Sequence, residues 1–238
     1  MSNTQDLRAA RHAALGDRVR LAIVDELIVS DRSPKDLQAM FGLGSNLMAH
    51  HLSVLEHVGL IHRSVSSGDA RRKYVHLNTQ AMSTIESSGR APDLDVPVGP
   101  TLFLCTRNSA RSQLAAALWK KLAQGQAESA GTDPAASIDP RAVDAAKRSS
   151  LVLGSASPQE LSQVEMQPVL VITVCDLAHE DLFFGDLPDK QSHLRTARWL
   201  HWSIPDPVKN GTPQAFDEVV KELTDRVTAL VERVGQAA

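Results

Sequence analysis

A cysteine and an arginine frame a short loop in the segment 104–114, which reads LCTRNSARSQL. The loop follows the apolar run Thr101–Leu104 and leads into a helical pattern. A strand that turns through a tight loop into a helix directs backbone N–H groups and the positive helix end at one point. A tetrahedral oxyanion fits there, and the same field favours a thiolate. We therefore expect Cys105 to titrate well below the roughly 8.5 of a free thiol and to act as a nucleophile.

Arg111 closes this loop with a planar guanidinium that can clamp two oxygens of a phosphate-like group. We predict that Asn108 braces the loop and that Ser112 donates a hydroxyl to the thiolate. The alternative is a buried cysteine at a strand end beside an exposed arginine. The predicted oxyanion-binding residues are Thr106, Arg107, Asn108, Ser109, Ala110, Arg111 and Ser112.

The C-terminal part of the chain alternates between strand and helix patterns. This alternation predicts an α/β fold with an open parallel sheet and helices on both faces. The anion loop lies at the carboxyl end of the first strand, where ligands bind in such sheets. We predict strands at 101–104, 127–130, 168–174 and 197–202, and helices at 111–124, near 140–149 and at 213–235.

Further segments follow the loop in a fixed order: ESAGT at 128–132, IDPRA at 138–142, VITVCD at 171–176 and HWSIPDP at 201–207. With the loop, they resemble the low-molecular-weight tyrosine phosphatase superfamily and the arsenate reductases of that fold, over about residues 99–235. The resemblance implies that Asp206 is the general acid. A leaving oxygen needs a proton donor, and a carboxyl near an anion site has a raised pKa. The alternative is a plain turn at Asp206.

Several departures separate this chain from the phosphotyrosine-hydrolysing members. Those members carry a proline after the Arg-Ser pair and tyrosines after the Asp-Pro pair, where this chain has Gln113 and Val208. The single tyrosine, Tyr74, lies outside this part of the chain. Arg107 takes a position often held by glycine, and Ala110 replaces a common cysteine. The resemblance is therefore to the reductases.

The chain has two cysteines, whereas the thioredoxin-coupled reductases use three. Cys175 occupies the second position, and the third falls near Leu182. The resemblance implies either a Cys105–Cys175 disulfide reduced from outside or direct attack by a small thiol such as mycothiol or glutathione. Two other interpretations of Cys175 stay open. The cysteine can simply pack in the core. It can also bind a metal together with His179 and the acidic residues that follow, but we expect that acidic segment to be a solvated turn.

Residues 15–58 carry three consecutive helical patterns, with no strand pattern between them. Apolar residues recur at helical spacing from Leu15 to Ile28, and SPKD at 33–36 supplies a cap, a first-turn proline and an acidic residue for a second helix. The second helix ends at FGLG, 41–44, and we predict that Ser45 caps a third helix. Two helices joined by a short glycine-containing turn make a helix-turn-helix.

Two alternating runs, 60–65 and 73–77, follow the third helix on either side of SSGD at 66–69. They predict a β-hairpin and hence a winged helix. Residues 7–80 resemble the ArsR family of winged-helix repressors, most clearly through HLSVLEHVGLI at 51–61 and the basic wing. The resemblance implies a homodimer on a near-palindromic DNA operator.

In that interpretation the exposed face of the third helix reads bases and the wing contacts phosphates or the minor groove. The alternative for the basic run is a solvated hairpin face, and the adjacent helix-turn-helix favours DNA. Residues 1–104 contain no cysteine, which excludes a trithiolate arsenite site, and we expect no metal site among the histidines there. The predicted DNA-binding residues are Ser45, Asn46, His50, Ser53, Arg63, Arg71, Arg72 and Lys73.

Length and composition agree with two domains. The 238 residues are 42% hydrophobic, with a net charge of −3 that hides a basic wing. We predict domains at 1–82 and 100–238 joined by a proline-containing linker at 83–99. The polar start and the lack of a long apolar run predict no membrane segment, and the few cysteines suit a reducing cytoplasm.

The leading hypothesis is an ArsR-like DNA-binding regulator fused to an arsenate reductase. It needs no tightly bound cofactor, but it does need an external thiol reductant of the thioredoxin, glutathione or mycothiol/mycoredoxin kind. One alternative is a phosphatase acting on small phosphoesters, which would turn over without a thiol. Another is a non-enzymatic regulator whose affinity for DNA responds to an oxyanion or to oxidation of Cys105.

Overall fold

The computed structural model describes residues 3–83, 96–153, 157–183 and 194–234. The chain divides into two compact units, Met1–Ser66 with Ala70–Leu94, and Ser67–Asp69 with Asp95–Ala238. Most of the predicted linker at 83–99 lies outside the described residues, so the linker and the domain limits stay predictions. Among the described helices, none combines the length and the apolar composition that a membrane span requires.

In residues 3–83, the N-terminal unit is mainly helical and carries one antiparallel pair of strands. Its apolar core is shared by the helices and the strand pair, with Ile23, Leu37 and Leu52 fully buried. In the strand pair, Ile61 lies opposite Leu77. The elements are α1 (Asn3–Leu15), α2 (Arg18–Val29), α3 (Pro34–Phe41), α4 (Ser45–His57), β1 (Ile61–Val65), β2 (Lys73–Leu77) and α5 (Thr79–Ser83).

Local capping explains where α2 and α3 begin and end. Ser33 Oγ accepts from the Asp36 N–H at 3.1 Å, and the Asp36 carboxylate accepts from the Ser33 N–H at 3.1 Å, which confirms the predicted cap. Gly42 ends α3 with a left-handed φ of 63°. The periodic run from Leu15 to Ile28 was predicted as one helix, but Asp17 interrupts it and caps α2 by accepting from the Arg20 N–H at 3.0 Å.

The predicted cap of α4 is wrong. Gly44 occupies the position before the helix and makes no side-chain capping bond, while Ser45 is the first helical residue. Ser45 is exposed in the first turn of the helix. The predicted hairpin strands are confirmed, since β1 ends at Val65 and β2 begins at Lys73, and residues 66–72 connect them.

The C-terminal unit has the predicted α/β architecture. The four strands among its described residues are all parallel, in the order β4-β3-β5-β6. All five residues of β3 are buried, as a central strand covered on both faces requires. The elements are β3 (Thr101–Cys105), α6 (Arg111–Leu122), β4 (Ala127–Gly131), α7 (Pro140–Arg148), β5 (Leu170–Thr173), α8 (Asp176–Phe183), β6 (Arg198–His201), α9 (Pro207–Asn210) and α10 (Pro213–Val234).

Two apolar layers enclose the sheet. Leu102, Leu104 and Val171 belong to a cluster on one face. On the other face, the Phe103 ring lies 5.9 Å from Trp119 of α6 and 6.1 Å from Trp202. The alternation along β3 therefore anchors the strand from both sides, and its last residue, Cys105, is held in place by the core.

Residues 176–183 form a helix where the sequence suggested a solvated acidic turn. His179 is only 5% exposed, because its ring stacks on His201 with centroids 4.0 Å apart. Within the described parts of the chain, no three His, Cys, Asp or Glu side chains are grouped so that they could bind a metal.

A buried polar network joins the ends of β5 and β6 to the start of α8. Thr173 Oγ1 lies 2.9 Å from His201 Nδ1 and 3.1 Å from His179 Nδ1. His201 Nε2 lies 3.3 Å from Asp176 Oδ1. Burial raises the pKa of Asp176, but bonds to the carboxylate, with His201 and Ser203 among the partners, outweigh burial and lower it to about 2.

This network predicts acid-sensitive stability. Because the pKa of Asp176 is lower in the folded protein than its ordinary 3.8, its contribution is complete above about pH 4 and is lost as the pH falls toward 2. Replacing Asp176 by Asn should remove that dependence and cost about 2 kcal/mol at neutral pH.

Urea denaturation followed by tryptophan fluorescence measures this effect, since all three tryptophans, Trp119, Trp199 and Trp202, lie in the C-terminal unit. Asp181→Asn is the matched control, because Asp181 is an exposed carboxylate on the same helix. Equal pH dependence in Asp176→Asn and in the wild type would show that the network does not stabilise the fold in this way.

Candidate active site

Hydrogen-bond donors converge on the sulfur of Cys105, which is 2% exposed at the end of β3. The Asn108 N–H donates to Cys105 Sγ at 3.2 Å, and Ser112 Oγ lies 3.0 Å from the same sulfur. Because Asn108 Nδ2 donates to Ser112 Oγ at 2.8 Å, the hydroxyl proton of Ser112 is free to point at the sulfur. Negative charge on this sulfur is therefore stabilised by oriented donors.

Asn108 holds the loop from inside. Its φ of 47° is left-handed, and its side-chain oxygen accepts from Gln113 Nε2 at 3.1 Å and from the Gln159 N–H at 3.0 Å. These two donors fix the orientation of the amide, so that its nitrogen faces Ser112. The geometry agrees with the predicted bracing role of Asn108. Gln159 was missed, because its contribution is a backbone N–H that no residue type reveals.

The segment 133–139 forms an outer frame whose backbone N–H groups bind the carbonyls of the loop. Thr106 O accepts from the Asp133 N–H, Arg107 O from the Ala135 N–H and Ser109 O from the Asp139 N–H, each at 2.9 Å. The C=O and the next N–H of a trans peptide point in opposite directions. The bonded carbonyls therefore turn the N–H groups of Arg107, Asn108 and Ala110 toward the opposite side, where the sulfur lies.

Gly131 allows this frame to approach so closely. A Cβ at this position would lie 2.6 Å from Thr106 O and 3.1 Å from the Asn108 Cβ. Any side chain would therefore push the loop and the frame apart. The sequence carries a signal for this contact in the SAGT segment, but the partner of the glycine is visible only in three dimensions.

Arg111 and Asp206 meet although 94 residues separate them in the chain. Arg111 is 7% exposed, and its Nη1 donates to Ile204 O at 2.9 Å. Its Nη2 lies 3.4 Å from Asp206 Oδ2, while Asp206 Oδ1 caps α9 by accepting from the Val208 N–H at 3.0 Å. Asp206 thus makes the expected turn and also presents a carboxylate to the guanidinium.

Cys175 lies against the same loop. Its sulfur is 3.4 Å from Thr106 Oγ1 and accepts from the Ala178 N–H at 3.4 Å at the start of α8. Burial raises the pKa of the Cys175 thiol, and nearby Cys105 raises it further, while Arg111 and Thr106 act in the opposite direction. Both cysteines are free thiols. The second thiol is therefore held protonated beside the first.

The predicted DNA-binding residues fall on two surfaces of the N-terminal unit. Ser45, Asn46, His50 and Ser53 are all exposed along α4. Arg71 and Lys73 are exposed at the start of β2, and Arg72 is half-buried. Arg63 is also half-buried, and its Nη2 lies 3.1 Å from Glu56 Oε2. The α4 residues share one face, as the predicted role requires.

Comparisons with known proteins agree with this geometry. The family model described as low molecular weight phosphotyrosine protein phosphatase matches residues 101–238. An arsenate reductase of Brevibacillus brevis is 31% identical over 134 residues, which cover 55% of this chain and 92% of that protein.

Two solved structures of arsenate reductases also align with the chain. That of Archaeoglobus fulgidus is 26% identical over 56% of this chain and 98% of its own, with a TM-score of 0.46. The thioredoxin-dependent enzyme of Corynebacterium glutamicum is 22% identical over 61% of this chain and 66% of its own, with a TM-score of 0.45. The family match contains the whole parallel sheet and the Cys105 loop, and the chain therefore belongs to the low molecular weight phosphotyrosine protein phosphatase family.

Proposed function

We propose that the C-terminal unit reduces arsenate to arsenite and that the N-terminal unit binds DNA as a regulator. The observation that carries the first part is the pair of free thiols at one oxyanion loop, with Cys105 surrounded by donors and Cys175 3.4 Å from Thr106. The identity of 31% with an arsenate reductase supports the same activity. Hydrolysis of a phosphoester would need only the first thiol.

In the first step the Cys105 sulfur attacks arsenic, an As–S bond forms and one oxygen leaves as water. The inward N–H groups and Arg111 hold the remaining oxygens, and Asp206 supplies the proton to the leaving oxygen. Asp206 lies 3.4 Å from Arg111, so the acid and the anion clamp face the same ligand. Arg111 and the proton from Asp206 would thus stabilise the negative charge that develops on the arsenate oxygens during the attack.

In the second step a thiol attacks the Cys105 sulfur. An S–S bond forms, the As–S bond breaks, and arsenic keeps the electron pair and leaves as arsenite. When Cys175 is the attacking thiol it loses its proton, and an external reductant of the thioredoxin kind reduces the resulting disulfide. When a small thiol attacks instead, the mixed disulfide on Cys105 is reduced from outside. The two routes differ in whether they need Cys175.

A small-phosphoester phosphatase is the second candidate, because the family match is to phosphatases. The same loop and the same acid would transfer the phosphoryl group to Cys105 and then to water. Val208 is exposed beside Asp206 in place of an aromatic wall, which favours a small substrate over phosphotyrosine. Steady hydrolysis of an aryl phosphate without added thiol would support this candidate.

The DNA-binding proposal is based on the order of elements in the N-terminal unit. Helices α3 and α4 are joined by the short connection 42–44, and the antiparallel pair β1–β2 follows. The exposed face of α4 would enter the major groove, with the basic residues near β2 on the backbone. This order of elements supports the proposed resemblance to the ArsR winged-helix family, and from that resemblance we infer a homodimer on a near-palindromic operator.

Replacing Cys105 by Ser should abolish arsenate-dependent NADPH consumption, because serine offers no sulfur to oxidise. The wild type and the variant are compared in thioredoxin, glutathione/glutaredoxin and mycothiol/mycoredoxin systems side by side. Cys175→Ser should lose activity only in the route that uses an internal disulfide. If the wild type shows no turnover with any of the three systems, the reductase proposal is wrong.

Asp206→Asn should lower the rate of arsenate reduction about 10²- to 10⁴-fold, since it removes the proton donor. Hydrolysis of p-nitrophenyl phosphate, whose leaving group departs without a proton, should fall much less. Asp217→Asn, an exposed carboxylate paired with Arg148 on the surface, is the control. Equal losses with both substrates would mean that Asp206 only shapes the turn.

Lys73→Ala should weaken DNA binding equally on all sequences and reduce the slope of log affinity against log salt by about 0.9, the value for one lost phosphate contact. His50→Ala should instead cost about 1–3 kcal/mol on the operator and little on random DNA. Fluorescence anisotropy at several salt concentrations measures both, with Lys147→Ala as control. An unchanged affinity in both variants would contradict the assigned DNA surface.

A further inference from the structure

The rim of the oxyanion loop carries an ion pair that the reaction above does not use. Arg107 Nη1 contacts the Asp133 carboxylate, and both side chains are exposed, by 53% and 74%. Their backbones are nevertheless fixed, because the Asp133 N–H donates to Thr106 O and the Ala135 N–H donates to Arg107 O, each at 2.9 Å. Within residues 105–112, all of which the structure describes, Arg107 is the only exposed arginine. The frame that supports the loop therefore also holds the Asp133 carboxylate against this guanidinium.

The two arginines of the loop differ in their surroundings. Arg111 is buried, and it is bonded to Ile204 O and lies near Asp206. Arg107 stands at the solvent side, and its contact is with the exposed carboxylate of Asp133. A charge at the rim of an anion site changes affinity through Coulomb attraction, and salt screens the effect when the charge is exposed.

We propose that Asp133 determines the anion affinity of the site by competing with the incoming oxyanion for Arg107. With Asp133 bound, the rim is neutral and the loop attracts anions through its N–H groups and Arg111 alone. When a doubly charged tetrahedral oxyanion enters, Arg107 exchanges Asp133 for the ligand and becomes a second guanidinium clamp. The exchange favours dianions such as hydrogen phosphate or hydrogen arsenate over monoanions, because the attraction to Arg107 grows with the ligand's charge. This inference rests on the oxyanion site of the proposed function but not on arsenate reduction.

Calorimetric titration of the full chain with inorganic phosphate tests the proposal. At low salt, Asp133→Asn should bind phosphate about three- to tenfold more tightly than the wild type, because Arg107 has lost its competitor. Arg107→Gln should bind about three- to tenfold more weakly, because it leaves Asp133 unneutralised at the rim. The double variant should return close to the wild type. All differences should shrink at about 0.5 M salt.

Asp144→Asn and Lys147→Gln are matched controls. These residues form an exposed ion pair on α7 with an N···O distance of 3.7 Å, so they change the net charge by the same amount as the test variants. The proposal predicts that neither control alters phosphate affinity more than slightly. If Asp144→Asn changed phosphate affinity as much as Asp133→Asn, the effect would come from the net charge of the protein, and the proposed competition for Arg107 would be wrong.

Other outcomes also decide the matter. Phosphate affinity in Asp133→Asn equal to that of the wild type at low salt would overturn the competition, and so would failure of the wild type to bind phosphate. The predicted pattern of affinities in a protein that reduces no arsenate would support this inference and reject the reductase. Reduction of arsenate by a protein that lacks this pattern of phosphate affinities would support the reductase and reject the competition for Arg107.

Discussion

The outward bonding of the loop carbonyls is the constraint on which the rest of the site depends. Three backbone N–H groups of the segment 133–139 bind the carbonyls of Thr106, Arg107 and Ser109 at 2.9 Å. Because each bonded carbonyl turns the following N–H to the other side, the frame creates a set of inward donors without using a side chain. The close approach requires glycine at position 131, and the buried strand β3 keeps Cys105 at the focus.

The same arrangement gives the thiols of Cys105 and Cys175 different surroundings. Cys105 receives an N–H at 3.2 Å and faces the Ser112 hydroxyl, whereas Cys175 is buried against Thr106 and has a raised pKa. Hydrogen-bond donors thus surround the Cys105 sulfur, while burial keeps the neighbouring Cys175 thiol protonated. This difference suits the proposed arsenate reduction, in which the two thiols would act in sequence.

The sequence predicted the C-terminal sheet and the loop well because both are local patterns. The apolar run before Cys105 gives the strand, and the spacing to Arg111 gives the loop. It could not predict the partners supplied by backbone atoms, such as the Gln159 N–H, since any residue type provides one. The helix α8 was missed because His179, which looks like a surface residue, is buried by stacking on His201. In the N-terminal unit a single capping side chain, Asp17, divided a helical pattern that looked continuous.

The most direct test of the central claim, that the Cys105 loop holds an oxyanion over the sulfur, is the rate at which iodoacetamide alkylates each cysteine with and without phosphate. Peptide mass spectrometry assigns the modification to Cys105 or Cys175. The account predicts that phosphate slows alkylation of Cys105 strongly and leaves the slow alkylation of buried Cys175 unchanged. Alkylation of Cys105 at the same rate in the presence of saturating arsenate and phosphate would contradict it.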